Sequence, residues 1–382
     1  MTLKVMTILG TRPEIIRLAR VMARLDSLTD HVLVHTGQNY DYELNEVFFE
    51  DLGVRRPDHF LSVGGGTLGE TLGNILSKTE TVLASERPDA VLILGDTNSA
   101  IAAIMARRMK IPVYHMEAGN RSFDRNVPEE TNRRLVDHIA DFNLVYTEHA
   151  RRHLLSEGLE HRRINLTGSP MREVLDAYRD RIGASDVLSR LGLARRAYFI
   201  ASLHREENVD HPDRLRELMA GLALVAETYG FPVILSTHPR TAKRLEAIGV
   251  QMPEGVQLMK PFGFHDYNNL QVNAYCAISD SGTIAEEASI LGFPAITPRD
   301  AIERPEGVDV GCVIQTGTSR ETMLEGIAAI TRQFFDREDA GIAHPVPEDY
   351  CITNTSERVV NLIIGTARLS NSWDGIRTFP AT

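Results

Sequence analysis

Cysteine is scarce in this chain. Three residues in 382, Cys276, Cys312 and Cys351, are widely spaced and odd in number. That pattern excludes a disulfide framework and a zinc site, and it fits a reducing compartment. No apolar run approaches the length needed to span a bilayer. The N-terminus, MTLKVMTILG, reads as a strand running straight into a turn. It lacks the long apolar stretch and small-residue cleavage site of a signal peptide, so the cytoplasm is the expected location. Positive charge is also short: 41 Lys and Arg against 52 Asp and Glu leave a formal charge of −11. This argues against a nucleic acid or an anionic membrane as partner. Any anionic ligand must be gripped by a local cluster of Arg, Lys and helix N-termini. There is no low-complexity tract and no repeat of solenoid period. There is no Walker loop and no GxGxxG, so nothing specifies ATP or NAD. There is no Asp-x-Asp, so a metal-held nucleotide diphosphate is not indicated.

What is present is an ordinary globular composition, 43% hydrophobic and 24% charged, in a length of 382 residues that suits two domains. Short apolar runs alternate with helical patterns: KVMTILG (4–10), HVLVHTG (31–37), AVLILGD (90–96), IPVYHME (111–117) and FNLVYT (142–147). The rhythm restarts after about residue 185 with YFIASLH (198–204), PVILSTH (232–238), VQLMKPF (256–262) and AYCAISDSG (274–282). This predicts an α/β chain of two doubly wound, Rossmann-like domains facing a cleft. Ligands in such sheets bind at the carboxyl ends of the strands, which here carry Gly10, Asp96, Glu117, His204, His238 and Asp280. The expected domains are 1–170, joined by a returning C-terminal segment of about 362–382, and 171–361, with a hinge in 168–188 and a last helix over 355–369.

Several strand ends carry chemistry. In GTRPEIIRLA (10–19) a strand-to-helix turn has Pro13 placed to begin a helix, whose free amides would suit a phosphate, with Arg12 and Arg17 nearby. The same sequence also makes a plain turn. Asp96 in LGDTNSA either caps the following helix or faces the cleft. Glu117 ends a buried strand, where an acid needs a partner or a purpose. Glu129 follows Pro128, where an acid complements the helix dipole, and Arg133 four residues on is its expected partner. His204 ends the strand of LHREEN, and a lone His there is usually structural. Ser281, Gly282 and Thr283 form a tight strand-to-helix turn that offers amides and hydroxyls to a phosphate; Glu286 and Glu287 follow where a ribose would lie. The pair His149 and His153 has helical spacing but no HExxH acid, and reads as a solvated face rather than zinc. Anion-binding features thus occur in both halves, and three carboxylates come from the first. That distribution suits a nucleotide diphosphate held by one domain and a sugar worked on by acids of the other.

In order along the chain, GTRPE, LGDTNSA, HMEAG, VPEETNR, LHREEN, DSGTIAEEA and ERPEG resemble the motifs of the non-hydrolysing UDP-N-acetylglucosamine 2-epimerases. The similarity runs from residue 4 to about 365. It implies a glycosyltransferase-B fold, usually a homodimer, with the final helix returning to the first domain. It implies a UDP-sugar substrate, no metal and no redox cofactor, and a role in supplying sugars for surface polysaccharide. It also implies inversion at C2 through elimination of UDP to a 2-acetamidoglycal and re-addition. By the same resemblance Asp96, Glu117, Glu129 and His204 are catalytic, and Arg12, Ser281, Gly282, Glu287 and Arg304 contact UDP. Arg17 stands where a Lys is common, keeping charge but not geometry. Thr283 replaces the second Gly of a Ser-Gly-Gly turn, which puts one backbone contact in question. Phe262 and Tyr267 fall near the positions that hold uracil. The segments HTGQNYDYELNEVFF (35–49) and NRSFDRNVPEE (120–130) look more like a sister group. That group inverts C2 of UDP-2-acetamido-2,6-dideoxy-L-talose to give UDP-N-acetyl-L-fucosamine. The changed GQNYDYELNE segment also argues against activation by a second UDP-GlcNAc. A UDP-sugar glycosyltransferase shares the fold but needs an acceptor; a catalytically dead sensor would not need the three carboxylates.

Overall fold

The computed structural model describes residues 2–37, 49, 51–237, 239–249 and 252–376. His238 and most of the GQNYDYELNE segment lie outside the described residues. The chain divides into two compact units. The first is Met1–Arg121, Pro128–Val174 and Ile352–Thr382; the second is Ser122–Val127 and Leu175–Cys351. Of the four crossings between units, one falls inside the helix Met171–Gly183 and another just before the helix Thr355–Trp373.

The first unit holds a seven-stranded parallel sheet of order β3-β2-β1-β4-β5-β6-β7. Its strands are β1 (Lys4–Leu9), β2 (Asp30–His35), β3 (His59–Phe60), β4 (Ala90–Leu94), β5 (Val113–Met116), β6 (Phe142–Val145) and β7 (Ile164–Leu166). The central strands are buried on both faces, which is why their sequences read as unbroken apolar runs. Met6, Ile8, Val91 and Ile93 pack on one side with Ile75, Val82, Ala103 and Ala106 from helices. Elsewhere in this unit the helix Arg12–Leu28 packs beside the helix Thr355–Trp373. The second helix buries Val359, Val360 and Ile363, and Thr366 meets the Tyr114 hydroxyl at 2.6 Å.

The second unit holds a six-stranded parallel sheet of order β10-β9-β8-β11-β12-β13. Here the strands are β8 (Phe199–Ser202), β9 (Val233–Ser236), β10 (Val256–Met259), β11 (Cys276–Ser279), β12 (Ala295–Thr297) and β13 (Val313–Gln315). Alternate residues serve opposite cores: Phe199 and Ala201 join Leu215, Leu218 and Leu222, whereas Tyr198 and Ile200 join Ile284 and Ala288. Both sheets reverse strand order, between β1 and β4 in the first and between β8 and β11 in the second. Those switch points are where open α/β sheets accept ligands.

Candidate active site

At the first switch point the turn after β1 is closed by Glu14. Its Oε2 accepts hydrogen bonds from Gly10 N at 2.8 Å, Thr11 N at 2.7 Å and Thr11 Oγ1 at 2.9 Å. Its Oε1 accepts from Thr97 Oγ1 at 3.0 Å, which ties the end of β1 to the end of β4. Glu14 is buried, and burial outweighs these donors and pushes its pKa up to about 7. The amides of Gly10 and Thr11, ahead of the helix, therefore serve this carboxylate. Arg12 begins the helix, half-buried.

Asp96 follows β4. Arg133 reaches its Oδ2 with Nε at 2.9 Å and Nη2 at 2.7 Å. The cap of the next helical turn is Thr97, which accepts from Ser99 N at 3.2 Å, so Asp96 is not the cap. Beyond Asp96, Arg133 also bonds Glu130 Oε2 at 3.1 Å, one turn back on its own helix. Glu129 lies half-buried in the first turn of the helix Pro128–Ile139, where Pro128 and two acids suit the exposed amides.

Glu117 follows β5 in a left-handed conformation with φ 65°. For a residue with a Cβ this costs on the order of 1–2 kcal/mol, so its surroundings must impose it. Arg17 pairs with its Oε2, and both side chains are nearly buried. A Cβ on Gly95 would lie 3.7 Å from the same oxygen, which places the Glu117 carboxylate against the backbone just before Asp96. Gly119, with φ 81°, admits no side chain: a Cβ there would sit 2.4 Å from the carbonyl oxygen of Ala150. His153 Nδ1 donates to the Gly119 carbonyl at 3.0 Å, so His153 is not simply part of a solvated face.

Arg121, in the loop between the acids, is a buried structural cation. It forks onto Glu157 at 2.7 Å through both Nε and Nη2, and Nη1 reaches Asp137 at 2.7 Å. Burial disfavours its charge, yet Glu157 and Asp137 more than compensate and hold its pKa above the ordinary arginine value. Glu157 is in turn held down to about 2 by Arg121.

At the second switch point Asp280, after β11, is fully buried. It accepts His204 N at 3.0 Å, Arg205 N at 3.1 Å and Asn208 Nδ2 at 3.1 Å. Burial alone would raise its pKa; the His204 ring and these donors outweigh burial and lower it. His204 Nδ1 lies 3.0 Å from Asp280 Oδ1, so the ring proton sits on Nδ1 and leaves Nε2 for other work on a side chain 39% exposed.

Gly282 carries no positive φ, yet a Cβ there would stand 2.8 Å from Arg205 Nη2. The constraint here is space rather than conformation, and the neighbour is the flexible end of Arg205, which can move aside. Thr283 has φ −95° and ψ −8°, ordinary right-handed backbone ahead of the helix Ile284–Leu291, so no second glycine is required. Its Oγ1 lies 2.9 Å from Ser281 Oγ. Arg304 donates from Nη1 to the Gly282 carbonyl at 2.5 Å and pairs with fully buried Glu286, so it braces this turn. Glu287 accepts from Gln271 Nε2 at 2.7 Å. Phe262 and Tyr267 pack beside Ile284 and Ala288. Burial pushes the Tyr267 hydroxyl up, while its bonds to Ser202 and Ser279, on the last residues of β8 and β11, partly offset this.

The structure thus gathers Arg17 with Glu117 beside Asp96 in the first unit, and His204, Gly282 and Arg304 around Asp280 and Arg205 in the second. Three participants were missed from sequence. Glu14 was visible as the third residue after Thr11, the capping-box spacing. Arg205 was visible as the neighbour of His204. Asp137 carried no local signal.

Comparison with known proteins bears on this arrangement. The family model for UDP-N-acetylglucosamine 2-epimerase matches residues 23–364. A UDP-N-acetylglucosamine 2-epimerase of Methanocaldococcus jannaschii is 38% identical over 337 residues, covering 85% of this chain and 91% of its own. Its structure in complex with UDP-GlcNAc and UDP gives a TM-score of 0.88, at 35% identity over 95% of this chain and 100% of that one. A UDP-2,3-diacetamido-2,3-dideoxy-D-glucuronate 2-epimerase of Pseudomonas aeruginosa is 36% identical, covering 85% and 91%. The structure of a UDP-N-acetylglucosamine 2-epimerase from Rickettsia bellii is 44% identical with a TM-score of 0.90, covering 99% and 100%.

Proposed function

This chain belongs to the UDP-N-acetylglucosamine 2-epimerase family and is an isomerase acting on a UDP-sugar; we propose that it inverts C2 of UDP-N-acetylglucosamine by eliminating and re-adding UDP. The observation that carries this reading is Glu117, held in a left-handed backbone against Gly95 and paired with Arg17. A carboxylate fixed at such cost beside Asp96 suits proton transfer.

The chemistry divides between the units. In the second, the strand-to-helix turn at Ser281–Thr283 with Arg205 and His204 receives the diphosphate, and Phe262 and Tyr267 lie where uracil would pack. As the C1–O bond breaks, its electron pair stays on the β-phosphate oxygen, and these donors stabilise that charge. C1 becomes electron-poor, which acidifies the C2 hydrogen. In the first unit one carboxylate among Asp96, Glu117 and Glu129 takes that proton, leaving a C1–C2 double bond. UDP then adds back to C1 while an acid delivers a proton to the other face of C2. Arg17 on Glu117 and Arg133 on Asp96 oppose the negative charge of these acids.

The identity of the sugar is open to a second reading, since the 36% identical relative is named for a diacetamido uronate. The 6-deoxy-L-talose substrate rests on two segments: 35–49, most of which lies outside the described residues, and 120–130. Each candidate UDP-sugar, incubated without acceptor in D2O, is read by NMR. The proposal expects deuterium at C2 of the product and traces of free UDP and glycal. Product without deuterium at C2 would sink the elimination mechanism. Activity only with an added acceptor would make the protein a glycosyltransferase.

A further inference from the structure

The helix Pro128–Ile139 carries charged residues at 129, 133 and 137, four apart and therefore along one stripe. Each serves a different proposed catalytic acid. Glu129 is one of the three acids, and Arg133 holds Asp96 from two nitrogens. Asp137 has no part in the proton chemistry and is fully buried. Its carboxylate accepts Gly119 N at 3.2 Å on both oxygens and Arg121 Nη1 at 2.7 Å, and it faces His115 Nδ1 at 2.9 Å. His115 Nε2 in turn donates to the carbonyl of Gly95 at 2.8 Å, the residue before Asp96. His115 Nδ1 makes no hydrogen bond to that carboxylate, so Asp137 holds the backbone two residues beyond Glu117, while Arg133, one turn earlier on the same helix, holds Asp96.

We propose that Asp137 is a positioning residue that sets Glu117 in its left-handed conformation and fixes its place relative to Asp96, making this helix a single bracket for all three acids. The inference rests on the epimerase reading. It follows from what the loop would otherwise do. Glu117 has a Cβ, so its positive φ is a cost that the surrounding structure must offset. Its conformation is imposed from the residues after it, where Gly119 is clamped between Asp137 at its amide and His153 at its carbonyl. Replacing the carboxylate by an amide turns one of the two acceptor oxygens facing Gly119 N and Arg121 into a donor. The loop then relaxes, while the nucleotide-holding groups of the second unit are untouched.

The test uses the full chain and whichever UDP-sugar the wild type epimerises. For Asp137→Asn the expected result is a kcat lowered about 10- to 100-fold, as for an ångström-scale misplacement of a reacting group. KM and the UDP dissociation constant should stay within about threefold, and a larger share of turnovers should release glycal. A kcat within about twofold of wild type overturns the positioning role. A parallel loss of kcat, UDP binding and melting temperature overturns it too, since that describes a general structural prop. If Asp137→Asn does not fold, Arg121→Lys keeps the charge opposite Asp137 but loses the fork to Glu157. It should show the same split at smaller amplitude, and an unchanged kcat there is equally fatal. A wild type whose product carries no deuterium at C2 overturns the elimination reading on which this proposal rests, a result separate from an active wild type with an indifferent Asp137→Asn.

Discussion

Glu14 illustrates how one residue can hold a switch point together and still be titratable near neutrality. Its folded pKa of about 7 lies above the ordinary 4.5. The folded chain therefore keeps a proton that the unfolded chain has released. The stability this contributes is full below about 4.5 and is lost as pH rises through about 7. Against Glu14→Gln, which cannot ionise, the wild type should lose up to about 3 kcal/mol over that interval. Urea denaturation of both proteins at pH 5 and pH 8 measures the difference; parallel pH profiles would remove Glu14 as its source. The acids Asp96, Glu117 and Glu129 make a second residue-scale prediction. Asp96→Asn, Glu117→Gln and Glu129→Gln should each slow epimerisation by about 10²- to 10⁴-fold. UDP affinity by calorimetry should change far less, because the proposed nucleotide contacts belong mainly to the second unit.

At the scale of elements, the turn between β11 and the helix Ile284–Leu291 gives opposite expectations for adjacent residues. Gly282→Ala places a methyl group 2.8 Å from Arg205 Nη2. The end of a flexible side chain can move away, so the fold should survive with a Tm near wild type. Arg205 would leave the turn, and UDP affinity should fall about tenfold if a charge-assisted contact worth about 1.5 kcal/mol goes with it. Thr283→Gly relieves no strain, since Thr283 has φ −95°. It should bind UDP no better than wild type and lose roughly 0.5–1 kcal/mol through added freedom of the unfolded chain. Tighter UDP binding by Thr283→Gly would show that the turn wants a second glycine after all. The order of elements was legible because strands buried on both faces are unbroken apolar runs. The strands His59–Phe60, Ile164–Leu166, Ala295–Thr297 and Val313–Gln315 were not picked out, because two or three residues carry too little pattern. Partnerships were less legible than elements. Arg133 sits four residues from Glu129, yet it holds an acid 37 positions away. Asp137 looks like one more charge on a polar helix until the fold brings Gly119 and Arg121 to it.

For the molecule as a whole, the first unit depends on a helix at the far end of the sequence. Ile363 is fully buried in Thr355–Trp373. Ile363→Ala should cost about 2–5 kcal/mol, the usual range for removing a large aliphatic side chain from a packed site. The loss should appear in protection of the first sheet by hydrogen exchange, with the sheet of the second unit unaffected. Equal loss in both units would mean that they do not unfold separately.

The same discontinuity has a consequence in time. A ribosome emits the early strands of the first unit first, but that unit is complete only when Ile352 and the residues after it have emerged. Nearly all of the second unit, Leu175–Cys351, is released as one stretch before that. At bacterial-like rates of about 5–20 residues per second, the early strands wait roughly ten seconds or more for their last helix. Throughout that delay, the apolar flank that Val359, Val360 and Ile363 later cover is open to chaperones and to neighbouring nascent chains. The residues made first are thus the last to be finished, and a premature stop anywhere before residue 355 would strand the half that carries the acids.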